Sequence, residues 1–397
     1  MTGQRIYLDH NASAPLVAAA RAAMVEALDV GGNPSSVHAE GRRARSIVEG
    51  ARADVAALVG AQADCVVFTG GASEAASTCL SPLWLDEGRG RAVTHLAVLD
   101  TDHPAFREGG RFTAAAVTRL PVTADGAVDL SALQAWLADL PVGGGGDAML
   151  AVGLANSETG VIQPVAAIRE RLVDRRVLLV IDAAQAAGRI PVDVDELGAD
   201  ALILSAHKIG GPAGIGAIVT RRSTLLPAPL VTGGGQERRR RAGTEAVPAI
   251  AGFGAAARVA LEQLQGGAGH LLALRQHLER RLAAAVPSAS IIGAGAPRLP
   301  NTVLIAHPHL RAETAQIAFD LNGIAVSAGS ACTSGKVGPS HVLSAMHAAG
   351  SRIEPGEGAI RISFGYETEQ HEIDRAVEVY ASIVARSAHA PTAGAAA

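Results

Sequence analysis

A chain of 397 residues has room for roughly two to three domains and a sizeable core. With 48% apolar residues, 18% charged residues and a formal charge of −4, it is neither a disordered chain nor one built to hold nucleic acid. Three cysteines (Cys65, Cys79, Cys332) are too few for a disulfide framework or a Cys-rich zinc site, and no window reaches the about 18 uninterrupted apolar residues of a membrane span.

Along the chain, MTGQRIYLDHN lacks the apolar core of a signal peptide, so a cytoplasmic setting is expected. CVVFT (65–69) reads as a strand and 72–85 as a helix. THLAVL (94–99) and AMLAVGL (148–154) are further strands, with a helix near 130–140 between them. A tetraglycine loop, Gly143–Gly146, precedes the second of these. Next come a helix over 164–174 and the strands VLLVI (177–181), ALIL (201–204) and GAIVT (216–220). Continuous apolar strands alternating with helices indicate a mostly parallel sheet buried on both faces. Arg238–Arg241 reads as a solvated loop. From Glu245 to about 285 the chain is helix-rich and leads into a second unit. That unit has TVLIA (302–306), a helix over 311–321, IAVSA (324–328), a helix near 340–347, AIRISF (359–364) and a last helix from 369 to about 388. The tail APTAGAAA is expected to fray.

The chemistry centres on Ser205-Ala206-His207-Lys208, which follows the strand ALIL, and on Asp182, which ends the strand VLLVI. A lysine and a carboxylate at the mouths of buried parallel strands form a pair suited to pyridoxal 5′-phosphate (PLP). The amine can form a Schiff base with the cofactor aldehyde, and the carboxylate can keep the pyridine nitrogen protonated. Taken alone, Lys208 reads as a surface lysine and Asp182 as a helix cap. Gln185 can donate to the phenolic oxygen of the ring. Gly70-Gly71-Ala72-Ser73 opens a helix after CVVFT, so its backbone N–H groups and the Ser73 hydroxyl can seat a phosphate, although the same pattern describes an ordinary turn. Ser205 and His207 can add donors to that phosphate.

His103, in TDHPAF, is a turn residue on base rates; in a chain with 3% aromatic residues it is also a candidate to stack on a cofactor ring and move protons. Asn156 ends AMLAVGL and reads either as turn chemistry or as a donor to the ring oxygen or a substrate carboxylate. Alternation places Ala359, Arg361 and Ser363 on one face, so Arg361 is either a carboxylate clamp or an edge-strand arginine in a surface ion pair. Cys65 and Cys79 read as buried hydrophobes. Cys332 lies among small and polar residues in SAGSACTSG, a setting that points to an exposed, reactive thiol.

These motifs together resemble the cysteine desulfurases of group I, in the class V aminotransferase superfamily of fold-type I PLP enzymes. The likeness runs through YLDHNAS (7–13), GNPSSVHAEGRRAR (32–45), FTGGASE (68–74), ANSETGVIQP (155–164), IDAAQ, SAHKIGGPAGIGA, GGGQER…RAGT (233–244), SAGSACTSG, PSHVLSAM (339–346) and IRISFG, and covers nearly all of residues 5–385.

The resemblance implies an α/β fold with a mostly parallel seven-stranded sheet between helices and a smaller α+β C-terminal domain. The large domain would span 15–255, the small one 1–14 and 256–390 with a mobile nucleophile loop at 327–338, and 391–397 would be a disordered tail. Lys208 would hold PLP, Asp182 its pyridine nitrogen and Gln185 its phenolic oxygen. His103 would stack on the ring, and Gly71, Ala72, Ser73, Ser205 and His207 would bind the phosphate. Thr244 would reach the phosphate in the neighbouring subunit of a homodimer. Asn11, Asn156 and Arg361 would bind the substrate carboxylate, and Cys332 would take sulfur from L-cysteine as a persulfide, leaving L-alanine. A sulfur-acceptor protein, for iron–sulfur cluster assembly or tRNA thiolation, is the implied partner; no nucleic acid, membrane or metal is. Alternative readings are a selenocysteine lyase, another class V lyase or aminotransferase, and a non-catalytic PLP-fold binding protein. The chain departs from the family pattern at Ser73, Ser77 and the Arg238–Arg241 run, and lacks the long C-terminal extension that housekeeping members use to dock the iron–sulfur scaffold.

Overall fold

The computed structural model describes residues 5–141, 146–173, 176–267, 269–308, 310–329, 339–355 and 359–388. In chain order its strands are β1 (Ile6–Tyr7), β2 (Val66–Thr69), β3 (Leu83–Asp86), β4 (Arg89–Leu99), β5 (Val117–Leu120), β6 (Asp147–Gly153), β7 (Val177–Asp182), β8 (Ala201–Ser205), β9 (Gly216–Thr220), β10 (Leu225–Pro227), β11 (Ser290–Ile291), β12 (Thr302–Ala306), β13 (Ile324–Ala325), β14 (Ser327–Ala328) and β15 (Ala359–Ser363). The helices are α1 (Ala18–Val30), α2 (Ala39–Leu58), α3 (Ala72–Cys79), α4 (Pro104–Arg107), α5 (Leu130–Asp139), α6 (Val165–Leu172), α7 (Val194–Leu197), α8 (Val247–Gln265), α9 (Gly269–Ala285), α10 (Ala312–Leu321), α11 (His341–Ala348) and α12 (Gln370–Ala388).

The large sheet runs β5-β4-β6-β7-β8-β9-β2, parallel from β5 to β8 and antiparallel at β9. This is the expected mostly parallel sheet. Its strands alternate strictly between two packed faces. Leu99, Leu150, Val152, Leu179, Ile181, Leu202 and Leu204 join one core with side chains of α2, α5 and α8. Leu96, Val98, Met149, Ala151, Leu178, Val180 and Ile203 join another with side chains of α3 and with Trp84 and Phe106. Burial on both faces explains why these strands read as continuous apolar runs.

One element differs from the sequence reading. The helix expected over 72–85 ends at Cys79, and Leu83–Asp86 is a strand paired with Arg89–Ala92. Pro82 cannot continue the helix, and Glu87 (φ 51°) and Gly88 (φ 77°) make a tight hairpin turn that needs two left-handed residues. With β10 this arm lengthens the sheet to nine strands. Likewise 324–328 is two short strands in different sheets, β13 beside β1 and β14 beside β15.

A four-stranded antiparallel sheet, β11-β12-β15-β14, carries the C-terminal half. Leu271, Leu274, Leu278 and Leu282 form one stripe on α9 and bury against Val303, Ile305, Ile360 and Ile362, with Ile373, Val377 and Tyr380 of α12 beside them. Each buried leucine contributes about 2 kcal/mol, so the stripe fixes this sheet against its helices.

The Arg238–Arg241 run is not simply a solvated loop. Glu237 just before it is buried and takes two 2.8 Å hydrogen bonds from Arg52 and one of 2.9 Å from the Phe68 N–H. Arg241 pairs with Glu74 at 2.9 Å.

Candidate active site

Parallel strands aim their carboxyl ends the same way, and the loops that leave β4, β6, β7 and β8 meet the N-terminus of α3 in one place. There a cavity of about 390 Å³ is lined by Gly70, Gly71, Ala72 and Ser73, by Asp102 and His103, by Asn156 and Ser157, by Asp182 and Gln185, and by Ser205, His207 and Lys208. The volume suits a cofactor-sized ligand.

The phosphate end is backbone. The Gly71 N-cap makes no side-chain hydrogen bond, so the first N–H groups of α3 open on the cavity without a protein cap. β9 passes so close that a Cβ on Gly216 would lie 2.7 Å from the Gly71 carbonyl carbon and 2.9 Å from the Ala72 nitrogen; only glycine allows this approach. Ser205 is buried, and His207, 3.3 Å from the Ser13 hydroxyl, has its pKa lowered to about 4, chiefly by burial, so it is neutral.

At the other end Asp182 accepts one 2.9 Å hydrogen bond from the Ala184 N–H. Burial raises its pKa, against the opposing charges of His103 and Lys208 across the cavity. A buried carboxylate at a cavity wall fits a protonated pyridine nitrogen. His103 caps α4, its Nδ1 accepting from the Ala105 N–H at 3.1 Å, which places the proton of the neutral ring on Nε2; burial lowers its pKa. Asp102, buried beside it, accepts 2.8 Å bonds from the Leu99 and Gly153 N–H groups and has its pKa raised to about 7 by burial.

Lys208 Nζ donates to the carbonyls of Asn11 (2.6 Å) and Ala12 (3.0 Å). Gln185 Nε2 donates to the same Asn11 carbonyl at 3.0 Å. The segment 10–12 therefore passes directly behind the lysine. The Asn11 side chain itself points elsewhere, donating to Ser157 O and Thr302 Oγ1 at 3.2 and 3.0 Å, and Asn11 does not line the cavity. Asn156 lines it but is also a turn residue. Its amide N–H donates to Thr101 O at 2.8 Å, and its oxygen accepts from the Glu158 and Thr159 N–H groups at 2.9 Å.

Arg361 lies outside the lining but just behind it. β15 is an internal strand and Arg361 is 1% exposed, so the edge-strand surface pair is not what the fold contains. Its Nη2 pairs with Asp9 at 2.7 Å and its Nη1 donates to the carbonyl of Ser157, a lining residue, at 2.9 Å. Its buried Nε has no hydrogen-bond partner, an orphaned donor suited to a carboxylate. Nearby, Glu158 is buried, accepts a 2.6 Å bond from the Ser340 hydroxyl and has its pKa raised to about 7 by burial.

Thr244 is exposed before α8 and does not line the cavity of its own chain. Cys332 lies outside the described residues, as does all of 330–338. Cys65 and Cys79 are buried, as expected, and burial pushes both thiols up. The sequence reading missed Asp9, Asp102, Glu158 and Arg189. Asp9 sat inside the quoted YLDHNAS and Glu158 inside ANSETG; for Arg189 there was no signal at all.

The profile of the family Aminotransferase class-V matches residues 6–376. A protein named cysteine desulfurase from Cereibacter sphaeroides is 39% identical over 389 residues, covering 96% of each chain. The NifS-like protein from Rickettsia africae superposes with a TM-score of 0.84 at 29% identity, over 96% of this chain and 100% of that one. SspA, solved in complex with cysteine, matches with a TM-score of 0.70 at 27% identity, over 90% of this chain and 98% of the other.

Proposed function

This chain belongs to the class-V aminotransferase family and is a cysteine desulfurase by its full-length relatives; on that premise we propose which of its residues do the work. The cavity would hold PLP on Lys208, with the N-terminus of α3 and Ser205 as the phosphate seat, Asp182 for the pyridine nitrogen and His103 beside the ring. The bound cofactor supplies the electron sink that makes the Cβ–S bond of L-cysteine cleavable. Asn156 on the wall, with Arg361 just behind it and bonded to the Ser157 carbonyl, would orient the substrate carboxylate. Lys208 would move the α-proton, and Cys332 would take the sulfur as a persulfide, leaving L-alanine.

The observation that carries this reading is the buried Asp182 facing the same cavity as Lys208 and a helix N-terminus without a side-chain cap. Transfer of sulfur to an acceptor for iron–sulfur clusters or tRNA, a homodimer in which Thr244 reaches the neighbour's phosphate, the division at residues 14/15 and 255/256, and a cytoplasmic setting belong to the same proposal. No helix among the described residues is long and apolar enough to cross a membrane. Incubation with L-cysteine and PLP should yield alanine and, with a reductant, equal sulfide. Cys332→Ala should lose sulfide while keeping the visible absorption of the bound cofactor; full sulfide release from that variant would refute the assignment.

A further inference from the structure

Behind the cavity wall sits a buried arginine in a loop, AAGRIP, that the reading above leaves without a role. Arg189 is 5% exposed, and among the described residues it pairs with no carboxylate. All of its bonds go to uncharged oxygens. Nη1 donates to the Gln185 carbonyl and to Gln185 Oε1, both at 2.7 Å; Nη2 donates to the His10 and Lys208 carbonyls at 3.2 and 3.3 Å. Burial lowers its pKa to about 10, so it remains a cation, and a donor only, throughout the neutral range.

We propose that Arg189 is a positioning residue that sets the orientation of the Gln185 amide, and through it the hydrogen bond offered to the ring oxygen of the cofactor. A guanidinium cannot accept a hydrogen bond, so the atom of Gln185 that faces it must be the oxygen. Nε2 is then forced to the other side, where one of its hydrogens is taken by the Asn11 carbonyl at 3.0 Å. The second hydrogen has the cavity before it, because Gln185 lines that wall. A neutral residue at 189 would leave the amide free to flip and present its oxygen to an oxyanion. The Lys208 carbonyl and the His10 carbonyl, bound to the same guanidinium, tie the lysine turn and the N-terminal segment into one frame with the amide. This inference rests on the PLP reading of the cavity.

Its consequence is electrostatic. An N–H aimed at the ring oxygen withdraws charge from it and weakens its hold on the proton of the lysine–cofactor linkage. Loss of that donor raises the pH at which the linkage titrates. Of the other ionisable groups facing the cavity, the Arg189 charge acts on His207, helping burial to hold its pKa down, while the shifts of Asp102, His103 and Asp182 have other causes.

The test is a pH titration of the visible absorption of the PLP-loaded protein. Arg189→Met removes both the charge and the donors that hold Gln185 Oε1, and should raise the midpoint by about one pH unit, the worth of one charge-assisted hydrogen bond. Gln185→Ala should do the same, and Arg189→Met in the Gln185→Ala background should add less than it does alone. Gln185→Glu, which keeps the bond to Arg189 but has no N–H to give, guards against a variant at 189 that fails to fold, and should also titrate high. An unshifted midpoint in Arg189→Met or in Gln185→Glu, or an undiminished shift in the Gln185→Ala background, would overturn the inference. A wild-type protein with no absorption from bound PLP would instead overturn the reading of the cavity itself.

Discussion

Two cavities meet at Lys208 and differ in almost every other respect. The smaller, about 390 Å³, gathers Asp182, Asp102, His103, His207 and the uncapped start of α3. The larger, about 840 Å³, lies on the other side of the segment 10–12 and of Arg189, between α1 and residues 364–367. Leu16 and Val25 give it apolar walls, and its Arg21, Glu26, Asp29 and Glu367 are exposed side chains. Volume alone would choose the second. Chemistry chooses the first, because two buried carboxylates whose pKa values burial raises, Asp102 and Asp182, face it together with Lys208 and the start of α3, while the carboxylates of the larger cavity are exposed. The partition between the two is polar: the Asn11 carbonyl takes bonds from both Lys208 and Gln185, and Arg189 braces it from behind.

The largest test of this contrast is Lys208→Ala, which should cut alanine formation by about a thousandfold and abolish the visible absorption of bound PLP, as read by a coupled alanine assay and a spectrum. Arg21→Gln, in the larger cavity, should leave PLP affinity within about twofold in a fluorescence titration; a large loss there would dissolve the distinction. Asp182→Asn should lower kcat by about a hundredfold in the alanine assay while the fold, by circular dichroism, stays intact. Arg361→Lys should raise KM for L-cysteine by about tenfold or more and leave the cofactor spectrum unchanged, because it changes only the substrate end.

The smallest effect is on stability. Burial raises Glu158 from 4.5 to about 7, so between those values the folded protein binds more protons than the unfolded chain. Stability of the cofactor-free protein therefore falls as pH rises through that window. Asp102, raised to about 7, has the same sign. Glu158→Gln should match the wild type near pH 4 and exceed it near pH 8 by up to about 3 kcal/mol in denaturant unfolding. An unchanged pH slope would remove Glu158 from the account.

How much of this was legible depended on whether the signal was local. The parallel strands could be read because burial on both faces writes itself as an apolar run, as in VLLVI and ALIL. The hairpin at 83–92 was missed, its first strand read as the end of a helix although Pro82 and the Glu87-Gly88 turn lie there, while 94–99 was read as a strand. Lys208, Asp182 and His103 could be named because each ends a strand or starts the loop after one. Arg361 was ambiguous because alternation tells two faces apart but not whether both are covered; β15 is buried along its length. Arg189 was invisible. Its partners, at 10, 185 and 208, come together only when three loops fold onto one another.

The chain has two lysines in all, Lys208 and Lys336, which makes the central claim open to a direct chemical reading. The PLP-loaded protein is reduced with borohydride to fix the cofactor on whichever amine holds it, digested, and mapped by mass spectrometry. The account predicts the pyridoxyl group on Lys208, near one per chain; a label on Lys336 or the N-terminal amine, with Lys208 unmodified, would contradict it.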